Sequence, residues 1–266
     1  MFTPRELALE RGWPGRIEGD RVIQLAAQTL QSFFTGGGSA REHAEYALAE
    51  VDLRPPVLRP PAVRDFMAFE EHVATARRQR GSDVPKEWYE VPVFYFSNPT
   101  AIFGPGDTIP WPEGTQELDY ELECAAVIGA DGAIGGFTVL NDWSARDLQR
   151  QEMRVGLGPA KGKDFATSLG PVLVTPDEFD GSTGAMIARV NGEERSHGEL
   201  GAMYHHWEAL LARAAQNTML RPGDVIGSGT VGSGCILEHG DGRWLQRGDV
   251  VELEIEGIGV LRNTVG

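Results

Sequence analysis

The stretch LDYELECAAVIG, residues 118–129, constrains the fold more than any other part of the chain. Side chains two apart on a strand share a face, so Leu118, Tyr120, Leu122 and Cys124 make an apolar face and Asp119, Glu121 and Glu123 an acidic one. From Ala125 to Ile128 both faces are apolar, the pattern of a strand entering a core. Three like charges beside a buried region repel one another and lose hydration. The stretch therefore reads either as a solvated strand face or as a place where a cation stands. Two carboxylates at i and i+2 can reach one hard cation, Mg²⁺ or Ca²⁺, from a single strand.

The 34 glycines and 16 prolines in 266 residues point to many short strands joined by turns rather than to a helix bundle. Residues 16–24 read as a hairpin around Gly19-Asp20, while LAAQTLQSFF and REHAEYALAEV read as two short helices separated by GGGSA. The proline-rich LRPPVLRPPAV is an extended connector and places a boundary near residue 60. Next, DFMAFEEHVATARRQRG reads as a helix capped by Asp65 and ending at Gly81. From residue 91 onward strands dominate, interrupted by a helix over 141–154. The fold class is α+β, strand-dominated, without regular βαβ alternation.

A net charge of −15 excludes a nucleic-acid partner, since phosphate binding needs a basic surface. No apolar run is long enough to span a membrane and the N-terminal stretch has no apolar leader core, so a cytoplasmic location is expected. Cys124 and Cys235 form neither a disulfide framework nor a zinc spacing, and Cys124 reads as a buried thiol.

Four further stretches carry chemistry-bearing residues. In VLNDWSARDLQRQE, Asp142 reads as a helix cap or as a strand-end acid, and Arg146 and Arg150 either hold an anion or pair with Asp147 and Glu152. In DFMAFEEH, Asp65 and His72 stand two helical turns apart. GPAKGKDFATSLGP holds Lys161 and Lys163 in a glycine-bordered loop, where a lysine can steady an oxyanion. In LRPGDVIGSGTVGSGCILEHG, glycines let backbone N–H groups approach a ligand, and Glu238 reads as lying on an apolar strand.

In order and wording, DYELE with AAVIG, LNDWSARDLQ, GKDFATSLGP and LRPGDVIGSGT resemble the fumarylacetoacetate hydrolase family over residues 60–266. The resemblance implies a mixed β-sandwich roll, usually dimeric, behind a small N-terminal cap over 1–60, with a catalytic domain over 61–266. It implies that Asp65, Glu121, Glu123 and Asp142 ligate Mg²⁺, with Ca²⁺ or Mn²⁺ as alternatives. It also implies that His72 is a general base supported by Glu238, and that Lys163, with Lys161 as fallback, stands beside the reacting oxyanion. Tyr95, Gln149 and Thr230 match substrate-contacting positions, and Arg146 lies in the phrase SARD. Asp119 fits the phrase without a ligand role, so its loss is expected to be milder than that of either glutamate.

The chain also departs from the family pattern. A short cap replaces the animal enzyme's long N-terminal domain, Met153 stands where that enzyme has a substrate-binding tyrosine, and Asn98 where it has an arginine. A smaller or differently charged substrate follows. The first functional reading is hydrolysis of a C–C bond in a 2,4-diketo acid, with water activated by His72 and Glu238. The second keeps the cation but isomerises, hydrates, dehydrates or decarboxylates a 2-oxo acid. The third is a non-catalytic metal-binding protein.

Overall fold

The computed structural model describes residues 1–266 apart from Ala8 and Glu10. Its centre is a seven-stranded mixed sheet in the spatial order Phe94–Ser97, Val63–Phe66, Val225–Gly227, Leu122–Ile128, Ile134–Asp142, Thr167–Val174, Ile102–Phe103. Two of its pairings are parallel, Val225–Gly227 with Val63–Phe66 and Thr167–Val174 with Ile102–Phe103. A five-stranded sheet built on Ala185–Val190, Val250–Ile255 and Gly259–Val265 packs against it. Cys124, Ala126, Ile128 and Val139 from the first sheet and Met186, Ala188, Leu253 and Leu261 from the second share one buried core. The other side of strand Leu122–Ile128 is buried as well. There Ala125 and Val127 pack with Val57, Val63 and Phe34, which explains the run that is apolar on both faces.

The hairpin forms as its sequence suggests, with Glu18 opposite Arg21 across Gly19-Asp20. The stretch REHAEYALAEV does not form a helix: Glu42–Ala47 is a strand paired antiparallel with Arg21–Leu25. Its Ala and Glu content favours a helix, but Ala44 and Tyr46 alternate with exposed neighbours and Tyr46 stacks on Trp13 at 6.4 Å. The open hairpin edge and this packing override propensity. The helix read in LAAQTLQSFF begins only at Leu30, where Thr29 and Ser32 form a reciprocal capping box.

Three corrections bear on the site. Asp65 caps no helix; it lies in strand Val63–Phe66, and the helix Glu70–Gln79 starts after Phe69. Asp65 and His72 therefore face one cavity because a strand end and a helix converge, not because two helical turns separate them. Asp142 ends strand Ile134–Asp142, so its strand-end reading holds and its helix-cap reading does not; the helix read from residue 141 begins at Arg146. Glu238 lies in the short helix Ile236–His239, not on a strand. In addition, the opening stretch is not one strand. Leu118–Asp119 pairs with Ser144–Ala145, whereas Leu122–Ile128 joins the large sheet. At the break, Glu121 N–H donates to the Asn141 side-chain Oδ1 at 3.0 Å instead of to a backbone carbonyl of the neighbouring strand.

Both cysteines are free and buried. Among the described residues no helix is long and apolar enough to cross a membrane.

Candidate metal centre and base

Neighbouring strands of the large sheet bring four carboxylates together. In register, Gly227 sits beside Asp65 on one side and Ala125 on the other, two residues from Glu123. Asp142 closes strand Ile134–Asp142, and Glu121 stands just before strand Leu122–Ile128, where the strand pairing is interrupted. One carboxylate oxygen from each of Asp65, Glu121, Glu123 and Asp142 lies within 4.8 Å of the others, and all four residues are buried. Glycine is required beside them: a Cβ on Gly227 would stand 2.4 Å from Asp65 Oδ1 and 3.0 Å from Glu123 Oε2. Gly229, at φ +82°, donates its N–H to Glu123 Oε2 at 3.1 Å, and a Cβ there would stand 2.4 Å from the Phe66 carbonyl oxygen. The glycine run thus brings backbone against the carboxylates themselves.

The charges are unevenly compensated. Lys163 is buried and pairs with Glu121 and, at 2.5 Å, with Asp142 Oδ2. Arg146 Nη2 lies 2.8 Å from Glu121 Oε1. Burial alone would raise Glu121, but Lys163 and Arg146 outweigh it and hold this carboxyl below the usual range. The other three move up. Burial and the Asp142 charge raise Asp65, burial and Asp65 raise Glu123, and burial raises Asp142 against the pull of Lys163. Asp65 Oδ1 and Asp142 Oδ1 are buried without a hydrogen-bond partner. Orphaned oxygens, like charges at close range and an all-carboxylate donor set fit a hard divalent cation. Such an ion would relieve each of these strains.

His72 Nδ1 and Glu238 Oε1 are 2.7 Å apart. Glu238 is itself fixed, because its Oε2 accepts Ser233 N–H at 3.0 Å and its Oε1 lies 3.5 Å from Cys235 Sγ. Ser233 holds φ +62°, which turns its N–H toward the carboxylate. His72, Asp65, Glu121, Glu123 and Lys163 line one cavity of about 280 Å³. Asp142 stands behind that wall, with Tyr95 O–H donating to its Oδ2 at 2.7 Å.

The remaining sequence-derived residues fall as follows. Tyr95, Arg146, Gln149 and Thr230 line the same cavity. Thr230 Oγ1 donates to Glu123 Oε1 at 3.3 Å, and Arg146 Nη1 donates to Gln149 Oε1 at 3.2 Å. Arg146 and Arg150 do not pair with Asp147 and Glu152; Arg146 is buried against acids and Arg150 pairs with Glu117. Lys161 is exposed and pairs with Asp164, so of the two loop lysines only Lys163 reaches the carboxylates. Met153 lines the cavity, while Asn98 bonds the Asp164 carbonyl. Arg77 and Arg80 also line the cavity and went unnoticed in the sequence. The spacing from His72 carried the signal, because positions 72, 73, 76, 77 and 80 share one helix face.

Against known proteins, residues 62–266 match the family model described as fumarylacetoacetate (FAA) hydrolase C-terminal. The human mitochondrial oxaloacetate tautomerase FAHD2A is 34% identical over 97% of this chain and 87% of its own length. The oxaloacetate tautomerase YisK of Bacillus subtilis is 31% identical over 94% of this chain and 84% of its own. Among solved structures, the fumarylacetoacetate hydrolase of Exiguobacterium antarcticum superposes with a TM-score of 0.75 at 28% identity, covering 94% of each chain. The 5-carboxymethyl-2-hydroxymuconate delta-isomerase of Mycobacterium smegmatis does so with a TM-score of 0.73 at 29% identity, covering 95% of this chain and 93% of its own. The strand-dominated sandwich and the match across 62–266 lead to one conclusion: the chain belongs to the fumarylacetoacetate hydrolase family of enzymes.

Proposed function

We propose that this protein moves a proton at the carbon beside the keto group of a small 2-oxo acid, interconverting keto and enol forms. One observation carries the reading: a histidine–carboxylate pair at 2.7 Å and a cluster of four carboxylates that suits a cation adjoin one small cavity. Asp65, Glu121, Glu123 and Asp142 would hold the cation, with Mg²⁺ first and Mn²⁺ or Ca²⁺ as alternatives. Bound there, it would supply Lewis-acid polarisation of the acid's neighbouring oxygens. Glu238 accepts the Nδ1–H of His72, which leaves Nε2 with a free lone pair to take the proton and return it. Lys163 offers an ammonium against negative charge that develops on the substrate oxygen. Arg77 and Arg80 place cations on the cavity wall of a chain whose net charge is −15, which favours an acidic substrate, while Arg146 is already paired with Asp119 and Glu121. Tyr95, Gln149 and Thr230 complete the wall. The oxaloacetate tautomerases among the relatives support isomerisation as the first reading.

Hydrolysis of a C–C bond in a 2,4-diketo acid, first by the sequence alone, is the second reading. The His72–Glu238 pair suits removal of a proton from water equally well, and the superposition on a fumarylacetoacetate hydrolase supports it. We further propose a cap over 1–60, a catalytic domain over 61–266, a cytoplasmic location and a homodimer. The dimer is supported by the outer strand Phe94–Ser97 of the large sheet, where Phe96 is 66% exposed.

The test uses protein stripped by chelator and reloaded with each cation. Loss of enol absorbance is followed for oxaloacetate and for acylpyruvates, and products are identified by NMR. An intact carbon skeleton supports isomerisation, whereas release of pyruvate and a second acid supports hydrolysis. Cation binding with no turnover of any 2-oxo acid would return the non-catalytic reading.

A further inference from the structure

One carboxylate touches both halves of the candidate site and is a member of neither. Asp119 is 0% exposed. Its Oδ1 accepts Ile236 N–H at 2.7 Å and its Oδ2 accepts Leu237 N–H at 3.1 Å. These residues open the short helix that carries Glu238, and Cys235 before them supplies no side-chain cap. On its other side, Asp119 Oδ2 accepts Arg146 Nε at 2.8 Å. Arg146 Nη2 stands 2.8 Å from Asp119 Oδ2 and also 2.8 Å from Glu121 Oε1. One arm therefore runs through the helix to Glu238 and His72, and the other through Arg146 to Glu121.

A buried ion pair is weak evidence for stability, because desolvation offsets much of the attraction. Here every partner of the pair leads to a candidate site residue, and the helix it holds lies 117 residues away in sequence. We propose that Asp119 is a positioning residue that sets the spacing between the base His72 and the cation-binding carboxylates. This rests on the base-and-chelate reading above. The break at Tyr120-Glu121 makes the role possible, since it frees Asp119 from the face shared by Glu121 and Glu123.

The test compares Asp119→Asn with Arg146→Lys. An asparagine at 119 has one acceptor oxygen and must turn its NH₂ toward Arg146 or toward the helix N–H groups, so one arm is lost. A lysine at 146 keeps a cation for Asp119 but cannot bridge Asp119 and Glu121 at once. For Asp119→Asn we expect Mn²⁺ affinity within about threefold of wild type and kcat lower by about 10- to 100-fold, the scale of a small misplacement of reacting groups. The His72 Nδ1–H resonance, followed by NMR at one pH, should move as Glu238 loses its seat and the 2.7 Å contact lengthens. Arg146→Lys should lower kcat while leaving that resonance at its wild-type position. Wild-type kcat in either variant overturns the proposal. So does a fall in kcat in Asp119→Asn with an unmoved His72 resonance. Arg146→Lys keeps the test decisive if Asp119→Asn fails to fold. Mn²⁺ affinity and the His72 resonance need no turnover, so failure of this inference is separable from absence of activity on 2-oxo acids.

Discussion

Replacing Glu123 by Gln should change stability in opposite directions with and without a cation. Glu123 stands within 4.8 Å of three other carboxylates. At that distance and an effective dielectric of about 20, each ionised pair repels by about 3.5 kcal/mol. The folded, cation-free protein either bears this repulsion or retains a proton, so neutralising Glu123 recovers about 3.5 kcal/mol for each ionised pair it relieves and nothing for a pair that a retained proton already relieves. Gln keeps the shape, its carbonyl can accept from Gly229 N–H, and its NH₂ can donate to the orphaned Asp65 Oδ1. At roughly 2–4 °C per kcal/mol for a chain of this size, one relieved pair is a rise in Tm of about 7–14 °C in chelator near pH 8. With Mn²⁺ at about 100 times its Kd, wild type should gain about 2.7 kcal/mol, and the variant should gain almost nothing at the same concentration. Differential scanning calorimetry with chelator or Mn²⁺ measures both. A lower Tm than wild type in chelator would show that like-charge strain does not govern the cluster. An equal gain on adding Mn²⁺ would remove Glu123 as a ligand.

Burial and neighbouring acids hold Asp65, Glu123 and Asp142 above the usual carboxylate range. Their contribution to cation-free stability is complete below the unfolded-state value of about 4 and is lost as pH rises through the raised folded values. Tm in chelator should therefore fall from about pH 5 to 8, and Mn²⁺ should flatten the decline; a rising Tm would refute the assignment. Glu121, held low by Lys163 and Arg146, acts in the opposite sense: its stabilisation is present above the unfolded-state value and is lost as pH falls from there through the lowered folded value. His72→Gln should lower turnover by at least about 100-fold while leaving Mn²⁺ affinity unchanged, and a near-wild-type rate would remove His72 as the base. Lys163→Met leaves Glu121 and Asp142 without their shared cation and should cost the cation-free protein about 3–5 kcal/mol in denaturant titrations. Lys161→Met, which loses only an exposed pair, should cost less than about 1 kcal/mol, and equal costs would contradict the buried-pair account.

Much of the site is legible along the chain because it is assembled from compact phrases. Glu121 and Glu123 sit in DYELE, Asp142 and Arg146 in LNDWSARD, Lys163 in GKDF, and each phrase ends a strand or opens a turn. The glycines of DVIGSGTVGSG are legible as places of close approach. What they approach is not, since Gly227 and Gly229 press against carboxylates more than 100 positions away. Local secondary structure misleads where a tertiary partner overrides propensity, as at Glu42–Ala47, or where an acid that would suit a helix cap ends a strand, as at Asp65 and Asp142.

The sequence by itself determined the class of the fold and the chemical types at the site, because alternation, turn residues and family phrases are local properties. It could not divide Asp119 from Glu121 and Glu123 by side-chain alternation, which puts all three on one face. That division was decided by tertiary structure. A break of two residues, with Glu121 N–H donating to Asn141, sends Asp119 toward Arg146 and the helix of Glu238, while the two glutamates join the carboxylate cluster. The physical reason is that a strand keeps its alternation only while its ladder is continuous, and continuity depends on partners far along the chain.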